Sequence, residues 1–194
     1  MYDGKQVVRV VTQYKKADLY NIGVEMKDRK GTGNYDIERR EFNYEYVSLT
    51  HNNLYQEVKK KLKDRKIEYL DRPNTNLLNG VTFTSGPEFF QSLGIKFKDS
   101  GRTYHTGDKK GQAVMIPVIK SKEDIPNAVT YFFDSCMEFL KNYVGEENIL
   151  LAQIHYDEDT PHLQAYFIPV VNKVKRKCFV KDANGNVVKE ETTN

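Results

Sequence analysis

The hydrophobic and polar residues of this chain follow patterns that predict both strands and helices. Runs rich in β-branched residues, or with apolar residues at every second position, predict strands over 5–14, 43–49, 77–86, 148–156 and 162–171. Apolar residues at helical spacing predict helices over 19–31, 50–66 and, most clearly, 125–144. Gly145 follows the last of these as a stop signal, and Pro87 predicts the start of a short helix.

The order of these elements predicts an α+β fold with a central, largely antiparallel β-sheet flanked by helices, because tight turns join the last strands. Asn184 and Gly185 predict one such turn within 172–190. We expect a single domain over 1–194 that forms the N-terminal part of a longer protein. Residues 94–122 carry four glycines among many charges and are predicted to form an insertion or a mobile flap.

Amino-acid composition and net charge exclude few classes of function. The 30 Lys and Arg residues exceed the 27 Asp and Glu residues by only three, which is compatible with nucleic-acid binding but does not argue for it. The lysine run 59–61 is expected to form a solvated helix surface. Cys136 and Cys178 form no disulfide or zinc pattern, which indicates a reduced, cytoplasmic protein. No apolar run approaches the roughly 18 residues of a membrane span.

The stretch QIHYDEDTPHLQAYFIPV (153–170) carries candidate chemistry. It places two of the four histidines, His155 and His162, on either side of an acidic turn between two predicted strands. Residues two apart on a strand share a face, so His162 and Gln164 point the same way, with His155 opposite them. Two imidazoles and an amide oxygen suit Mn²⁺ or Mg²⁺ better than structural zinc. Asp157, Glu158 and Asp159 supply carboxylates nearby, which are able to ligate the ion or to orient an imidazole. On spacing alone, ordinary strand-end histidines around a turn are the favoured alternative, because this spacing is not a specific pattern.

The segment IHYDEDTPHLQ closely resembles the histidine motif of the plasmid mobilisation/recombination (Mob/Pre, MobV-type) relaxases, which belong to the HUH endonuclease superfamily. His155, Asp157, Glu158, Pro161 and His162 match that motif. The chain departs from it at position 164, where Gln164 replaces the usual histidine. The resemblance implies a divalent metal ion, Mn²⁺ or Mg²⁺, held by the residues His155, His162, Gln164 and Glu158.

A second segment, NYDIERREFNYEY (34–46), resembles the upstream signature of the same family. Asn34, Asp36, Ile37, Arg39 or Arg40, Asn43 and Tyr44 carry this match, with a somewhat compressed spacer. The resemblance extends over most of 5–172, except 94–122. It implies a relaxase that nicks and rejoins one DNA strand at an origin of transfer through a covalent protein–DNA intermediate, in plasmid mobilisation. Its partner would be single-stranded or hairpin DNA.

The attacking nucleophile is open. The family uses a histidine about a dozen residues before the Asp-Ile pair, but no histidine precedes His51 here, and Glu25 holds the corresponding position. Glu25 is one candidate. A tyrosine near the second motif is another, with Tyr44 foremost and Tyr20, Tyr35 and Tyr46 nearby, since most other HUH enzymes use tyrosine. The third alternative is a domain that has lost strand transfer.

Basic residues beside the two motifs are the candidates for DNA binding. Arg39 and Arg40 lie next to Asn43, and a basic run follows the second metal-site strand with Lys173, Lys175 and Arg176. A solvated edge explains the run equally well. The rival functions are a catalytically silent HUH domain that only binds DNA, a tyrosine-dependent replication-initiator or transposase-type enzyme, and a metalloenzyme that does not act on nucleic acid.

Overall fold

The structure is a computed structural model that describes residues 6–14, 18–19, 22, 35–50, 53–69, 72, 75–170, 176–182 and 184–193. Its strands are β1 (Gln6–Tyr14), β2 (Tyr44–Val47), β3 (Leu78–Ser85), β4 (Phe97–Thr103), β5 (Ala113–Pro117), β6 (Ile149–His155), β7 (His162–Phe167), β8 (Arg176–Lys181) and β9 (Val187–Thr193). Its α-helices are α1 (Leu54–Asp64), α2 (Pro87–Ser92) and α3 (Asn127–Val144). A 3-10 helix, Ile37–Phe42, precedes β2. None of the described helices is both long and apolar enough to cross a membrane.

Five strands form the main sheet in the order β1-β3-β7-β6-β2, and every neighbouring pair is antiparallel. The prediction of an antiparallel sheet flanked by helices is therefore confirmed. The hairpin β6–β7 occupies the centre of this sheet, and both of its strands read as nearly continuous buried runs. That position explains why 149–156 is apolar on both faces of the strand.

One face of the sheet packs against α3. Ile154, Leu163 and Ala165 point to this side, which we call the helix face. The helix packs on this face through one buried stripe at spacings of three and four residues, formed by Val129, Phe133, Met137 and Leu140. Phe90 of α2 stacks on Phe133 and closes the core. The long helix predicted over 125–144 is confirmed.

The opposite face, which we call the histidine face, is covered by α1 at one end. The buried residues of that helix, Leu54, Val58 and Leu62, pack in one core with Leu78, Leu151 and Tyr166 of the sheet. Asn53 caps the helix by accepting from Gln56 N at 3.2 Å. The end of the histidine face beyond Leu151 carries polar side chains, and the candidate site lies there.

Apolar residues are exposed at two places where their pattern alone indicates burial. The β-branched run of β1 is typical of a buried strand, but Val8 and Val10 are each 56% exposed because β1 lies at the sheet edge and pairs only with β3. Phe139 and Tyr143 fit the apolar repeat of α3 but are 56% and 77% exposed. Their rings stack on each other at 5.8 Å, outside the buried stripe.

The 94–122 segment contains a β-hairpin, and its predicted role as an insertion or flap stays a prediction. Its strands β4 and β5 pair from Phe97 with Pro117 to Thr103 with Ala113. At the tip, Tyr104 N donates to Gln112 O at 3.0 Å. We call residues 97–117 the β4–β5 arm. The strands β8 and β9 form a separate two-stranded sheet around the predicted turn at Asn184 and Gly185, where Gly185 has a φ of +83°.

Candidate metal centre

The register of the central hairpin places two histidines side by side. His155, at the end of β6, pairs directly with His162, at the start of β7, and directly opposed residues share a face of the sheet. The ring centroids lie 5.0 Å apart with an interplanar angle of 32°. His155 is only 1% exposed, whereas His162 is partly open to solvent. The structure therefore brings together the two histidines that the sequence singled out.

The connector between these strands, residues 156–161, adds two carboxylates. Asp157 Oδ1 lies 3.5 Å from His155 Nδ1, and Glu158 Oε1 lies 3.8 Å from His162 Nε2. One donor atom from each of His155, Asp157 and Glu158 lies within 4.8 Å of the others. These distances are wider than hydrogen bonds, and they leave a space surrounded by nitrogen and oxygen donors.

The hydrogen bonding of His155 fits a cation in that space. Neither ring nitrogen of His155 has a hydrogen-bond partner among the residues described, although both atoms are buried. A buried imidazole without partners is costly, and coordination of a divalent ion by one nitrogen removes much of that cost. His162 Nδ1 donates to Thr160 O at 3.1 Å, so in the neutral ring Nε2, which lies 3.8 Å from Glu158 Oε1, is the atom able to coordinate a metal ion. Mixed imidazole and carboxylate donors are compatible with Mn²⁺ or Mg²⁺.

Gln164 lies one row further along the histidine face. It pairs with Gln153 across the hairpin, next to the histidine pair. Gln164 Nε2 donates to Tyr166 Oη at 2.6 Å, so its amide is held from the side away from His162. Gln153 Oε1 is buried and has no partner among the described residues. The role of Gln164 as a metal ligand stays a prediction.

A solvent-filled depression of about 360 Å³ opens over the histidine face. It is lined by Thr82, Thr84, Glu158, Asp159, Thr160 and His162. His155 and Asp157 do not line it and lie behind it, each 1% exposed. A phosphate entering from solvent therefore meets His162 and Glu158 first. Thr84 Oγ1 donates to Pro161 O at 3.0 Å and fixes the end of the connector on this side.

The second sequence motif holds the connector from the other side. Arg39 Nη1 donates to Tyr156 O at 2.7 Å and to Glu158 O at 3.0 Å, and Asp36 N donates to Asp157 O at 2.7 Å. Asn43 Oδ1 accepts from Tyr156 N at 2.7 Å. Asp36 Oδ2 in turn accepts from Arg39 Nε at 3.1 Å. Asp36, Arg39 and Asn43 thus form a backbone clamp on the residues that carry the carboxylates.

This placement corrects the DNA-binding role that was expected of Arg39 and Asn43. Arg39 is 5% exposed, and its guanidinium is occupied by carbonyl oxygens and Asp36. The side-chain oxygen of Asn43 is occupied by the backbone. Both residues are better explained as supports of the site than as contacts to phosphate. Arg40, on the same 3-10 helix, is half-buried, and its predicted contact to DNA is not tested.

Tyr44 lies on the wrong face of the sheet for the nucleophilic role that was predicted. It pairs with Ile154, whose side chain is in the core with α3, so Tyr44 points to the helix face. Tyr46 follows on the same face and donates to Asp134 Oδ1 at 2.5 Å. Burial, together with Asp134, raises the pKa of the Tyr46 hydroxyl, which keeps it protonated and a poor nucleophile. His155 and His162 face the other way.

The remaining predicted residues lie beyond what the structure describes. Glu25, Lys173 and Lys175 fall outside the described residues, as do Asn34 and Tyr20. Arg176 begins β8, but its side chain is not described. Their predicted roles stay predictions.

Asp157 lies closer to the centre of the site than the sequence predicted. It was expected to lie near the site, able to ligate or to orient an imidazole, and was left out of the predicted metal ligands. In the structure it is buried and within 3.5 Å of His155. The spacing of two residues from His155 on an extended segment already indicated a shared face. Arg102 of the β4–β5 arm was also missed as a neighbour of the site, where it forms an ion pair with Asp159. No spacing rule connects those two positions.

Comparison with known proteins finds similarity to plasmid recombination enzymes. The Mob_Pre family model, described as plasmid recombination enzyme, matches residues 109–191. A plasmid recombination enzyme type 1 from Staphylococcus aureus is 46% identical over 39 residues, which is 20% of this chain and 10% of that protein. A plasmid recombination enzyme from Lactiplantibacillus plantarum is 22% identical over 93% of this chain and 43% of its own length. The chain thus spans less than half the length of these curated relatives.

A similar fold occurs in a solved structure, the Mn-bound relaxase domain of MobM (MOBV; Mob_Pre) with oriT DNA of plasmid pMV158. The TM-score is 0.61 at 20% sequence identity, over 86% of this chain and 71% of that chain. A second crystal structure of the same domain with oriT DNA gives a TM-score of 0.55. The likeness therefore extends well beyond residues 109–191 and includes the fold of the N-terminal half.

Proposed function

We propose that the chain is a metal-dependent relaxase domain of the Mob_Pre family of plasmid recombination enzymes, to which its sequence and fold are similar. It nicks and rejoins one DNA strand at an origin of transfer in plasmid or mobile-element mobilisation, through a covalent protein–DNA intermediate. The observation that carries this proposal is the group of His155, His162 and Glu158 at the centre of the sheet, beside a depression open to solvent. The MobM relaxase domain of similar fold is Mn-bound and carries oriT DNA.

The donor set defines what the site does with a phosphodiester. A divalent ion, when bound, neutralises charge on the non-bridging phosphate oxygens and makes phosphorus more open to attack. His155, His162 and Glu158 are proposed to hold this ion, with Gln164 as a further ligand and Asp157 as a ligand or as the partner that orients His155. Thr82 lines the open side and offers a hydroxyl group to the phosphate.

The backbone clamp makes this geometry rigid before DNA arrives. Arg39, Asp36 and Asn43 hold three successive residues of the connector through backbone atoms. The side chain of Glu158 then starts from a fixed backbone, so less conformational entropy is lost when it coordinates the ion. The energetic benefit appears as metal affinity, which is measured without any DNA.

The nucleophile is proposed to be Glu25 or a tyrosine. Attack by the Glu25 carboxylate on phosphorus forms an acyl phosphate and breaks the P–O3′ bond; the 3′ oxygen takes a proton from solvent and leaves as a hydroxyl group, which gives up that proton when it later attacks the acyl phosphate and restores the free carboxylate. Among the tyrosines, Tyr35 is the better candidate than Tyr44, because it lines a depression that includes Asp159 of the connector. A domain without a nucleophile, which only binds DNA, is the alternative.

Adduct mapping tests the proposal. The protein is incubated with Mn²⁺ and labelled single-stranded oligonucleotides tiled across the DNA that flanks its own gene. We expect a covalent adduct whose labelled peptide contains the nucleophile, and its loss in His155→Ala and His162→Ala. Binding of one oligonucleotide without any nick or adduct would replace the enzyme with a silent DNA-binding domain. The absence of DNA binding in a protein that binds Mn²⁺ would favour a metalloenzyme of another class.

The proposed partner is single-stranded or hairpin DNA, and the proposed compartment is the cytoplasm. Cys136 is a free thiol in the structure, as a reducing compartment requires.

A further inference from the structure

The segment 94–122, which contains the β4–β5 arm, carries the positive charge that the rest of the chain lacks. Residues 94–122 contain seven lysines and arginines against two aspartates, a net charge of +5, while the whole chain has +3. Everything outside this segment is therefore slightly acidic. Local clustering of this kind is the electrostatic footprint of nucleic-acid binding, which the overall charge conceals.

The arm is attached to the connector of the metal centre. Arg102 on β4 forms an ion pair with Asp159, one residue after Glu158. Lys98 pairs with Ile116 across the arm, and Ser100, Arg102 and Ile116 line the side that faces Asp159. The basic face of the arm is thus turned toward the site rather than away from it.

Three neighbouring depressions, which we together call the groove, extend from the metal centre along the arm. The depression over His162 shares Asp159 with a second depression of about 360 Å³, which is lined by Tyr35, Ser100 and Arg102 among others. This second depression shares Asp36 and Arg39 with a third of about 490 Å³, which Lys98 and Lys120 line. Each depression falls in the size range of pockets for small organic groups.

The two walls of this groove differ in charge. The arm side offers Lys98, Arg102 and Lys120, whereas the other side offers the carboxylates of Glu38 and Glu41 on the 3-10 helix. Phosphates are attracted to the first wall and repelled by the second. Tyr35 adds an aromatic ring between them, and a ring of this kind stacks on bases that are unpaired.

We propose that this groove binds single-stranded DNA next to the scissile phosphate. The sugar–phosphate backbone lies along the arm on Lys98, Arg102 and Lys120, and the bases turn toward Tyr35 and the 3-10 helix. This inference rests on the proposed relaxase function and adds the path of the strand. Asp159 holds Arg102 in place before DNA arrives, so that cation loses little side-chain freedom on binding.

The experiment measures binding apart from chemistry. Fluorescence anisotropy of a labelled (dT)20 oligonucleotide is titrated with protein in EDTA at several salt concentrations. The test variant is Lys98→Ala/Lys120→Ala, which leaves the Arg102 ion pair intact. The control is Lys60→Ala/Lys63→Ala, which removes the same charge from the exposed surface of α1. Thermal unfolding of all variants is compared with that of the parent.

In a plot of the logarithm of the binding constant against the logarithm of salt concentration, each phosphate contact to a single strand makes the slope more negative by about 0.7. Loss of two contacts therefore reduces the magnitude of the slope by about 1.4. We expect this change in the test variant, with affinity reduced on the order of tenfold at moderate salt. The control variant should bind DNA more tightly than the test variant, and the magnitude of its salt slope should also be clearly larger. Tyr35→Ala should reduce affinity about fivefold or more without changing the slope, and Tyr35→Phe should restore it.

Two negative results of this experiment lead to different conclusions. Equal slopes and affinities in the test and control variants would overturn the groove while the relaxase function stands. A folded parent protein that binds no single-stranded DNA at all would overturn both proposals.

Discussion

Replacement of Arg39 tests how much the backbone clamp contributes to metal binding when all candidate ligands are kept. Arg39 touches no candidate ligand side chain, but its guanidinium donates to the carbonyls of Tyr156 and Glu158 at 2.7 and 3.0 Å. Arg39→Ala removes the charged donor from both carbonyls and the cation that pairs with Asp36. We therefore expect a loss of metal affinity even though every ligand is still present.

The magnitude follows from the burial of the side chain. Hydrogen bonds to a charged donor contribute about 1.5–3 kcal/mol each, and breaking a buried charged network costs about 3–5 kcal/mol in total. The Arg39 side chain is only 6% exposed, so solvent compensates little of this cost. Loss of a residue that orients metal ligands lowers metal affinity about 10- to 100-fold. Arg39→Lys keeps the positive charge but loses the planar guanidinium that donates to two carbonyls at once. Its Mn²⁺ affinity should therefore lie between that of the parent and that of Arg39→Ala.

The assay is Mn²⁺ titration by calorimetry, together with chemical denaturation of the metal-free protein. Arg65→Ala is the control, because Arg65 also hydrogen-bonds to distant polar side chains, Asn148 and Glu147, but lies away from the connector. Arg65→Ala should lower stability and leave Mn²⁺ affinity unchanged. An Arg39→Ala protein that is folded and binds Mn²⁺ as tightly as the parent would refute the clamp.

Three further predictions address single positions. Gln164→His should raise Mn²⁺ affinity at least severalfold in calorimetry, since imidazole replaces an amide on the histidine face, and an unchanged affinity would place residue 164 outside the coordination sphere. Tyr44→Phe should leave adduct formation unchanged within about twofold, because Tyr44 faces the helix side of the sheet; loss of the adduct would contradict that assignment. Burial raises the pKa of the Cys136 thiol to about 11, so in a Cys178→Ser background its alkylation by iodoacetamide at pH 8 should be about 100-fold slower than that of a small thiol and should rise about tenfold per pH unit. Rapid alkylation that levels off near pH 9 would show an unperturbed thiol.

The main elements were predictable because local patterns decide them. The repeat in 127–144, the alternation in 78–85 and the turn between His155 and His162 all reflect burial on one side of a regular element. Burial itself was less predictable. Val8 and Phe139 are as apolar as the core residues, and only their positions at a sheet edge and outside the helix stripe leave them exposed.

The site was predictable where it is local in sequence. His155, His162 and Glu158 belong to one hairpin, and strand geometry alone brings them together. The role of Arg39 was not, because its contact with Tyr156 joins positions 117 residues apart and a buried arginine looks the same in sequence as an exposed one. Resemblance identified the motif that contains Arg39 but suggested contact with DNA rather than with the connector.

The separation between Arg39 and the connector has a consequence for the order of folding. The hairpin β6–β7 is local and can form within microseconds, whereas the closure of a loop of more than 100 residues comes later and depends on the whole sheet. The candidate ligands therefore meet early, but the connector that holds Asp157 and Glu158 becomes ordered only when the 3-10 helix docks. Tight metal binding would then report completed tertiary structure, and a growing or truncated chain that contains the hairpin alone would bind the ion weakly.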